Sequence, residues 1–232
     1  MSDLPARGRP LVSVVMAAYN AEEHVGAALE SVLAQDYEPL EVVVVDDGST
    51  DRTGEIVRSF PDVRHLWQEN AGPAAARNRA FAEASGELVA VLDSDDLMAD
   101  GRIDRQAAYL AEHPDVGAVL GRQEWIGAPD WLPRDAVYGD PNGIPVGGAA
   151  MFRRHVFEQL GGYDATFVQG EDTDLLIRMR ELGIEHAVLP EVVLVRRYRP
   201  ESITGGRSLH DNLLRSLRGK LDRTRAAEEP MP

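Results

Sequence analysis

Apolar and polar positions alternate in blocks along the first half of the chain, and the blocks have two periods. "LVSVVMAAY" (11–19) is a near-continuous apolar run, the mark of a parallel strand covered on both faces. Asn20 follows, with Glu23 three residues on, in the form of a capping box that starts a helix. Val25, Leu29, Val32 and Leu33 then share one helical face. The scheme repeats in "LEVVVVDDGSTD", which predicts a strand, a turn at Asp47-Gly48-Ser49 and a short helix through Ile56 and Val57. "VRHLW" predicts a weaker third strand. "NAGPAAARNRAFAEASG" predicts a loop, a helix with Pro73 in its first turn, and a stop at Gly86. "ELVAVL" closes the series as a fourth strand.

Strands alternating with helices predict an α/β domain with a mostly parallel central sheet flanked by helices. In open sheets of this kind ligands bind beyond the carboxyl ends of the strands. Three segments leave strands there with polar cargo: Tyr19-Asn20, Asp46-Asp47 and Asp93 to Asp96. A helix over 101–113 and the strand "VGAVLG" come next, and then the pattern loosens. Residues 122–147, with Trp125, Trp131, Tyr138 and several Pro and Gly, predict long surface loops. "GGAAMFRRHVFEQLGGYD" follows, then "GEDTDLLIRMRELG", a helix with Leu175, Leu176, Met179 and Leu182 as its apolar side. "HAVLPEVVLVRRY" reads as a closing strand. Leu209, Leu213, Leu217 and Leu221, spaced by four among Arg and Lys, predict a terminal amphipathic helix. The expected organisation is a flexible tail (1–10), one domain (11–205, its halves meeting at 121/122) and a basic carboxyl segment (206–232).

Composition narrows the classes. At 232 residues and 44% hydrophobic, the chain has enough apolar material for a substantial core. With no cysteine it has no disulfide, no thiolate metal site and no cysteine nucleophile, which fits a reducing compartment. The first apolar run is too short for a membrane span and lacks a cleavage pattern, and no other segment is longer, so a cytoplasmic location is expected. A formal charge of −15 argues against nucleic acid as a partner. Basic residues dominate from Arg196 to Arg225, however. That segment fits peripheral contact with the anionic inner membrane face, and equally a helix packed on this chain or in a homodimer.

The acids carry the candidate chemistry. Asp93 and Asp95, two apart at a strand end, suit one hard divalent ion such as Mg²⁺, which takes one or two carboxylates plus phosphate oxygens and water. They equally suit a solvated strand end with local caps, and Asp96 fits the capping role better than its neighbours. The "VVDDGSTD" turn is either an Asp-Gly turn or a carboxylate offered to a nucleoside. Arg77 with Asn78 suits a nucleotide's phosphates or base, whereas Arg79 suits a solvated helical face. Glu171 and Asp172 open a helix, where acids complement the dipole; catalysis needs one of them in the cleft.

These pieces, in this order, resemble the inverting glycosyltransferases of family 2, which have the GT-A fold. The matching stretches are "VSVVMAAYNAEEHVGAALESVLAQDYEPLEVVVVDDGSTD", "NAGPAAARNRA", "VLDSDD", "GGAAMFRRHVFEQLGGYD" and "GEDTDLLIRMRELG". Together they extend over roughly residues 11 to 205. The resemblance implies a Rossmann-like nucleotide-sugar half (11–121) joined to an acceptor half (122–205). It implies a nucleotide-diphospho-sugar donor, a UDP-sugar first, held by Ala17, Tyr19, Asp46, Asp47, Arg77, Asn78, Asp93 and Ser94. Asp95 with Asp93 is the D-x-D pair for Mg²⁺ or Mn²⁺. Asp172 is implied as general base, with Glu171 positioning the acceptor or its loop. Trp125, Trp131 and Gly148 fall to an acceptor that is a glycan, a lipid-linked sugar or another hydroxyl compound. The implied chemistry is hexosyl or N-acetylhexosaminyl transfer by a single displacement, as in polysaccharide biosynthesis.

One departure stands out. Many family members carry a His in a stretch like "R-x-H-P-x-S-x-T", and here the run is "RRYRPESIT" with Arg199 in that place. Arginine is always protonated and cannot ligate a cation. Arg199 is suited instead to the diphosphate itself, supplementing the metal. His210 lies farther on and reads as an exposed residue of the tail. Two rival functions follow from the same residues. A degenerate transferase would bind nucleotide or glycan without chemistry, against which the intact D-x-D and Glu171-Asp172 argue. A nucleotidyltransferase would need a Gly-rich, Arg-containing loop after the first strand, and "MAAYNAEEH" has no glycine.

Overall fold

Seven consecutive residues of the first apolar run, Val12–Ala18, form β1, and all but Ala17 are buried. In the computed structural model, residues 8–129, 147–167 and 170–198 are described. β1 leads to α1 (Val25–Leu33), β2 (Leu40–Asp46), α2 (Thr53–Arg58), β3 (Val63–Trp67), α3 (Pro73–Glu83), β4 (Leu88–Val91), β5 (Leu97–Met98) and α4 (Arg102–Glu112). The remainder adds β6 (Val116–Ile126), a 3₁₀ turn (Gly147–Ala149), β7 (Met151–Arg153), α5 (Arg154–Leu160), α6 (Glu171–Glu181) and β8 (Glu185–Arg197). Among the described residues the strands make one sheet in the order β3-β2-β1-β4-β7-β6-β8-β5.

Four of the seven pairings are parallel: β1 with β2 and β4, β2 with β3, and β6 with β8. The first four strands are therefore the predicted parallel set. Short β7 reverses direction beside β4 and joins the second half to the first, so the whole is a mixed sheet. Helices cover both faces. Val12, Val14 and Met16 pack with Val25, Leu29 and Val32 of α1 and Ile103 and Leu110 of α4. Val15, Val43 and Val45 pack with Phe81 of α3, Phe157 of α5 and Leu175 and Met179 of α6. Alternate residues of one strand thus feed opposite layers, each buried aliphatic contributing about 1.5–3 kcal/mol.

Several local expectations change. α1 begins at Val25 after His24, with no side-chain cap, so Asn20 and Glu23 do not form a capping box. Asn20 adopts φ 47° and its Oδ1 accepts the Thr50 N–H at 2.9 Å, tying the β1 loop to the β2 loop. Leu33 and Leu182 are exposed, each at or beyond the last turn of its helix. Gly86 is not a helix stop, since α3 ends at Glu83. Its role is close approach: a Cβ there would stand 2.6 Å from the Ser13 N atom. β6 continues to Ile126, past the point where loops were expected, because its outer half pairs with β8 from Val192 to Arg197. The Trp131 and Tyr138 region, the first seven residues, Arg199, His210 and the expected terminal helix lie outside the described residues. No helix among the described residues is long and apolar enough to cross a membrane.

Candidate active site

β1, β2 and β4 end side by side, and the polar segments that follow them share one rim. At the end of β1, Ala17 is half-buried and Tyr19 is 53% exposed. Asp46, the last residue of β2, is buried and shapes its own turn: Oδ1 accepts the Ser49 N–H at 2.9 Å, and Oδ2 lies 3.9 Å from His65 Nε2. Asp47 is 2% exposed. Its Oδ1 accepts Gln68 Nε2 (2.6 Å) and the Ala71 N–H (2.9 Å), and its Oδ2 accepts the Gly72 N–H (2.9 Å). The carboxylate therefore shapes the loop that delivers α3. Gly48, at φ 78°, permits the fit, since a Cβ would fall 2.8 Å from the Asn70 N atom.

α3 brings in Arg77, which is buried and forks between two acids. Nη1 donates to Glu171 Oε1 and Nη2 to Asp93 Oδ1, both at 2.5 Å. Burial works against its charge, but Asp93, Asp172 and Glu171 outweigh it and hold the guanidinium's pKa well above its ordinary value. This one side chain joins the D-x-D segment to the Glu-Asp pair. Asn78, its neighbour, is wholly committed to the backbone: Nδ2 donates to the Tyr163 carbonyl and Oδ1 accepts the Tyr163 N–H, both at 2.8 Å.

Asp93, Ser94 and Asp95 are half-buried at the end of β4. Burial pushes the Asp93 carboxyl up, but Arg77, Arg196 and Arg102 more than offset it and hold the pKa below the usual carboxylate range. Asp96 is not the solvated cap the sequence suggests. It is 3% exposed, its Oδ1 accepts the Arg197 N–H at 3.1 Å, and its Oδ2 lies 3.5 Å from Arg196 Nε. Burial, with Asp93 and Asp95 close by, pushes its pKa up to about 7. β8 runs past this turn, and the acid pins it there.

On the opposite wall, Glu171 and Asp172 open α6 after Gly170, where the helix dipole favours negative charge. Glu171 is buried against Arg77. Asp172 is half-buried, and its Oδ1 is a buried atom with no hydrogen-bond partner. Burial, then Glu171 and Asp93, push its pKa up to about 7 against the pull of Arg77. Of the residues assigned to an acceptor, Gly148 stands against Asp93, where a Cβ would meet Oδ2 at 3.2 Å. Trp125 lies under the Arg196 guanidinium at 4.4 Å and meets Tyr198 edge-on at 6.3 Å.

Four residues of this neighbourhood escaped the sequence reading. Arg102 is fully buried and makes no ion pair among the described residues: Nε donates to Gln106 Oε1, Nη1 to the Gly148 carbonyl, and Nη2 to the Val91 and Ala150 carbonyls. Gln106, also fully buried, donates Nε2 to the Val119 and Ala149 carbonyls. The pair clamps the Gly148 turn to the end of β4. Burial draws Arg102's pKa down to about 9, so it is still a cation at neutral pH. Arg196 and Tyr163 are the other two. Only the i, i+4 spacing of Arg102 and Gln106 on an otherwise apolar face hinted at the first pair.

Acids at strand ends, gathered around a buried arginine, lie where open α/β sheets bind their ligands. The sequence model described as Glycosyl transferase family 2 matches residues 13–161, and the chain belongs to that family. The match stops short of Glu171 and Asp172. The chain is 31% identical over 218 residues to the succinoglycan biosynthesis protein ExoO of Rhizobium meliloti (strain 1021), covering 84% of this chain and 63% of ExoO. Its fold is that of S. aureus TarS 1–349 in complex with UDP-GlcNAc, at TM-score 0.71 and 23% identity over 82% of this chain and 59% of that one. It is also similar to the mannosyltransferase PcManGT from Pyrobaculum calidifontis in complex with GDP-Man and Mn²⁺, at TM-score 0.66 and 30% identity, covering 84% and 59%. The architecture is thus the expected GT-A type. The chain spans about half the length, or less, of other curated relatives, between 15% and 55% of three of them.

Proposed function

We propose that the protein is a glycosyltransferase that moves a sugar from a nucleotide-diphospho-sugar, a UDP-sugar first, to an acceptor hydroxyl with inversion. The observation that carries the reading is the Arg77 fork, which brings Asp93 and Glu171, and so Asp172 beside it, to one cleft. The complexes of TarS with UDP-GlcNAc and PcManGT with GDP-Man support a nucleotide-sugar donor. The name of ExoO supports a place in polysaccharide synthesis.

In this reading Asp172 is the general base. Its pKa of about 7 keeps a useful ionised fraction at neutral pH and makes it a better proton acceptor than an ordinary Asp. It is still far too weak to deprotonate a free alcohol. Proton transfer to its carboxylate therefore runs with formation of the bond from acceptor oxygen to the anomeric carbon. The bond from that carbon to the diphosphate oxygen breaks in the same step, and its electron pair leaves with the nucleoside diphosphate. One displacement inverts the configuration. Arg77, Arg102 and Arg196 surround Asp93 with positive charge that also favours a nearby diphosphate.

Asp93 and Asp95 offer hard oxygen ligands, the donor set that suits Mg²⁺ or Mn²⁺. Among the described residues no third acid or His completes a cluster with them. Asp96 is committed to Arg197, and Asp93 Oδ1 to Arg77. The fit is to a cation held by one or two carboxylates and completed by phosphate oxygens and water. Such an ion, when bound, would neutralise the departing diphosphate.

A thermal-shift panel of UDP, GDP, TDP and CDP sugars, each with and without Mn²⁺, tests the donor reading, because a ligand that binds only the native state raises its melting temperature. Stabilisation by one base class, stronger with Mn²⁺, is expected. Asp172→Asn should keep that donor shift and lose turnover by about 10²–10⁴-fold. Near-full turnover would remove Asp172 as base, and donor binding with no turnover in the wild type would mark a binding protein instead.

A further inference from the structure

Buried hydroxyls seldom go unpaired, because leaving one so costs about 1–3 kcal/mol. Tyr163 is 2% exposed, yet its Oη has no partner that meets hydrogen-bond geometry. Asp172 Oδ1 is a second buried oxygen in the same condition. The phenol ring has no freedom to search elsewhere. Asn78 grips both the N–H and the carbonyl of Tyr163 at 2.8 Å. Phe157 meets the ring edge-on at 5.5 Å, and the Arg77 guanidinium stands 5.6 Å from its centroid. Gly162, at φ 78°, lets the chain pass Asn78, since a Cβ would fall 2.6 Å from its Oδ1.

The two unpartnered oxygens are complementary, one a donor and the other an acceptor. We propose that Tyr163 is a positioning residue for the base, its hydroxyl donating to Asp172 Oδ1 so that the other carboxylate oxygen is the one presented to the acceptor. The proposal rests on the reading of Asp172 given above. The Tyr163 hydroxyl lies close enough to the Asp172 carboxylate to lower its pKa, and this loose contact tightens when substrate binds, as active-site hydrogen bonds commonly do. The charged groups facing Asp172 are Arg77 from α3, Asp93 from the end of β4 and Glu171 on its own helix. Arg77 has divided its Nη atoms between Asp93 and Glu171 and leaves Nε as a rival donor, whereas an ionised acid has no proton to give. Burial holds the Tyr163 proton in place well beyond neutral pH, so the hydroxyl remains a donor throughout. In the reaction the acceptor's proton goes to Asp172, and Tyr163 keeps its own.

Tyr163→Phe removes the hydroxyl and leaves every ring contact. The direct readout is the ¹³C carboxyl titration of Asp172 in the full chain, its signal identified by its loss in Asp172→Asn. We expect the apparent pKa to rise by roughly one pH unit in Tyr163→Phe. Replacing Tyr163 by 3-fluorotyrosine, a stronger donor of the same shape, should lower it by a few tenths. Movements of opposite sign cannot come from loosened packing. With UDP-glucose, UDP-GlcNAc or GDP-mannose and Mn²⁺, release of nucleoside diphosphate at pH 7 should fall about 5–10-fold in kcat, with the donor KM changed less than about twofold. An Asp172 titration that stays put in both replacements overturns the proposal. Full turnover in Asp172→Asn would instead overturn the base assignment while the titration still reported the bond.

Discussion

Arg77 and Arg102 flank the end of β4 from opposite faces of the sheet, and they reach burial by different routes. Arg77 sits between two carboxylates, which raise its basicity despite desolvation. Arg102 meets carbonyls and one amide, and burial draws its pKa down to about 9. The first arrangement neutralises charge and couples three titrating groups. The second solvates a cation with backbone dipoles, so its charge is left to act on Asp93 from behind. A paired guanidinium tunes chemistry; a carbonyl-bound one fixes the backbone on which chemistry is mounted.

The comparison breaks first at Arg77. Arg77→Met leaves half-buried Asp93 and buried Glu171 without their shared cation, and should cost about 3–5 kcal/mol in denaturant melts. A loss below about 1 kcal/mol would show that water reaches both acids. Arg102→Met unpairs the Val91, Gly148 and Ala150 carbonyls and the Gln106 amide, but it also removes a desolvated charge. A smaller loss of about 2–3 kcal/mol is expected by the same measurement.

The pH profile sharpens the difference. An ionised base requires kcat/KM to rise with pH through about 7 and then level off. Arg77→Gln, which removes the attraction holding Asp172 down, should move this limb upward by about one unit. Arg102→Met should leave it within a few tenths of a unit, since Arg102 does not act on Asp172. Equal displacement in both variants would abolish the distinction.

Asp96 supplies the smallest effect. With a folded pKa of about 7, above its ordinary value near 4, it binds more protons in the folded than in the unfolded chain between those limits. Its contribution to stability therefore falls as pH rises from about 4 to 7. Asp96→Asn keeps an oxygen for the Arg197 N–H and should flatten this slope, visible as a change of about 2–4 °C between pH 6 and 7. An unaltered slope would place the titration elsewhere.

The strands were legible in the sequence because burial on both faces demands near-continuous apolar runs, as in Val12 to Ala18 and Val42 to Val45. Gathering the acids of β2 and β4 on one rim needed only the rule for strand ends. Legibility failed where a polar side chain serves a partner distant in sequence. Asn20 resembles a cap because Glu23 follows it, but its oxygen goes to Thr50. Asp96 resembles a turn residue because two acids precede it, but its oxygen goes to Arg197. Arg102 and Gln106 were not singled out, since a residue alphabet does not distinguish a guanidinium facing water from one facing carbonyls. Tyr163 was not singled out at all.

The Arg77 fork also has an order in time. Its two partners are 16 and 94 residues away along the chain, so a growing polypeptide acquires them in succession. A chain folded through β7 holds Asp93 and Asp95, but not Asp172. Contacts of long sequence separation close late because loop entropy must be overcome first. Docking of α6 is then the step that completes the cluster around Arg77, and with it the site proposed for catalysis.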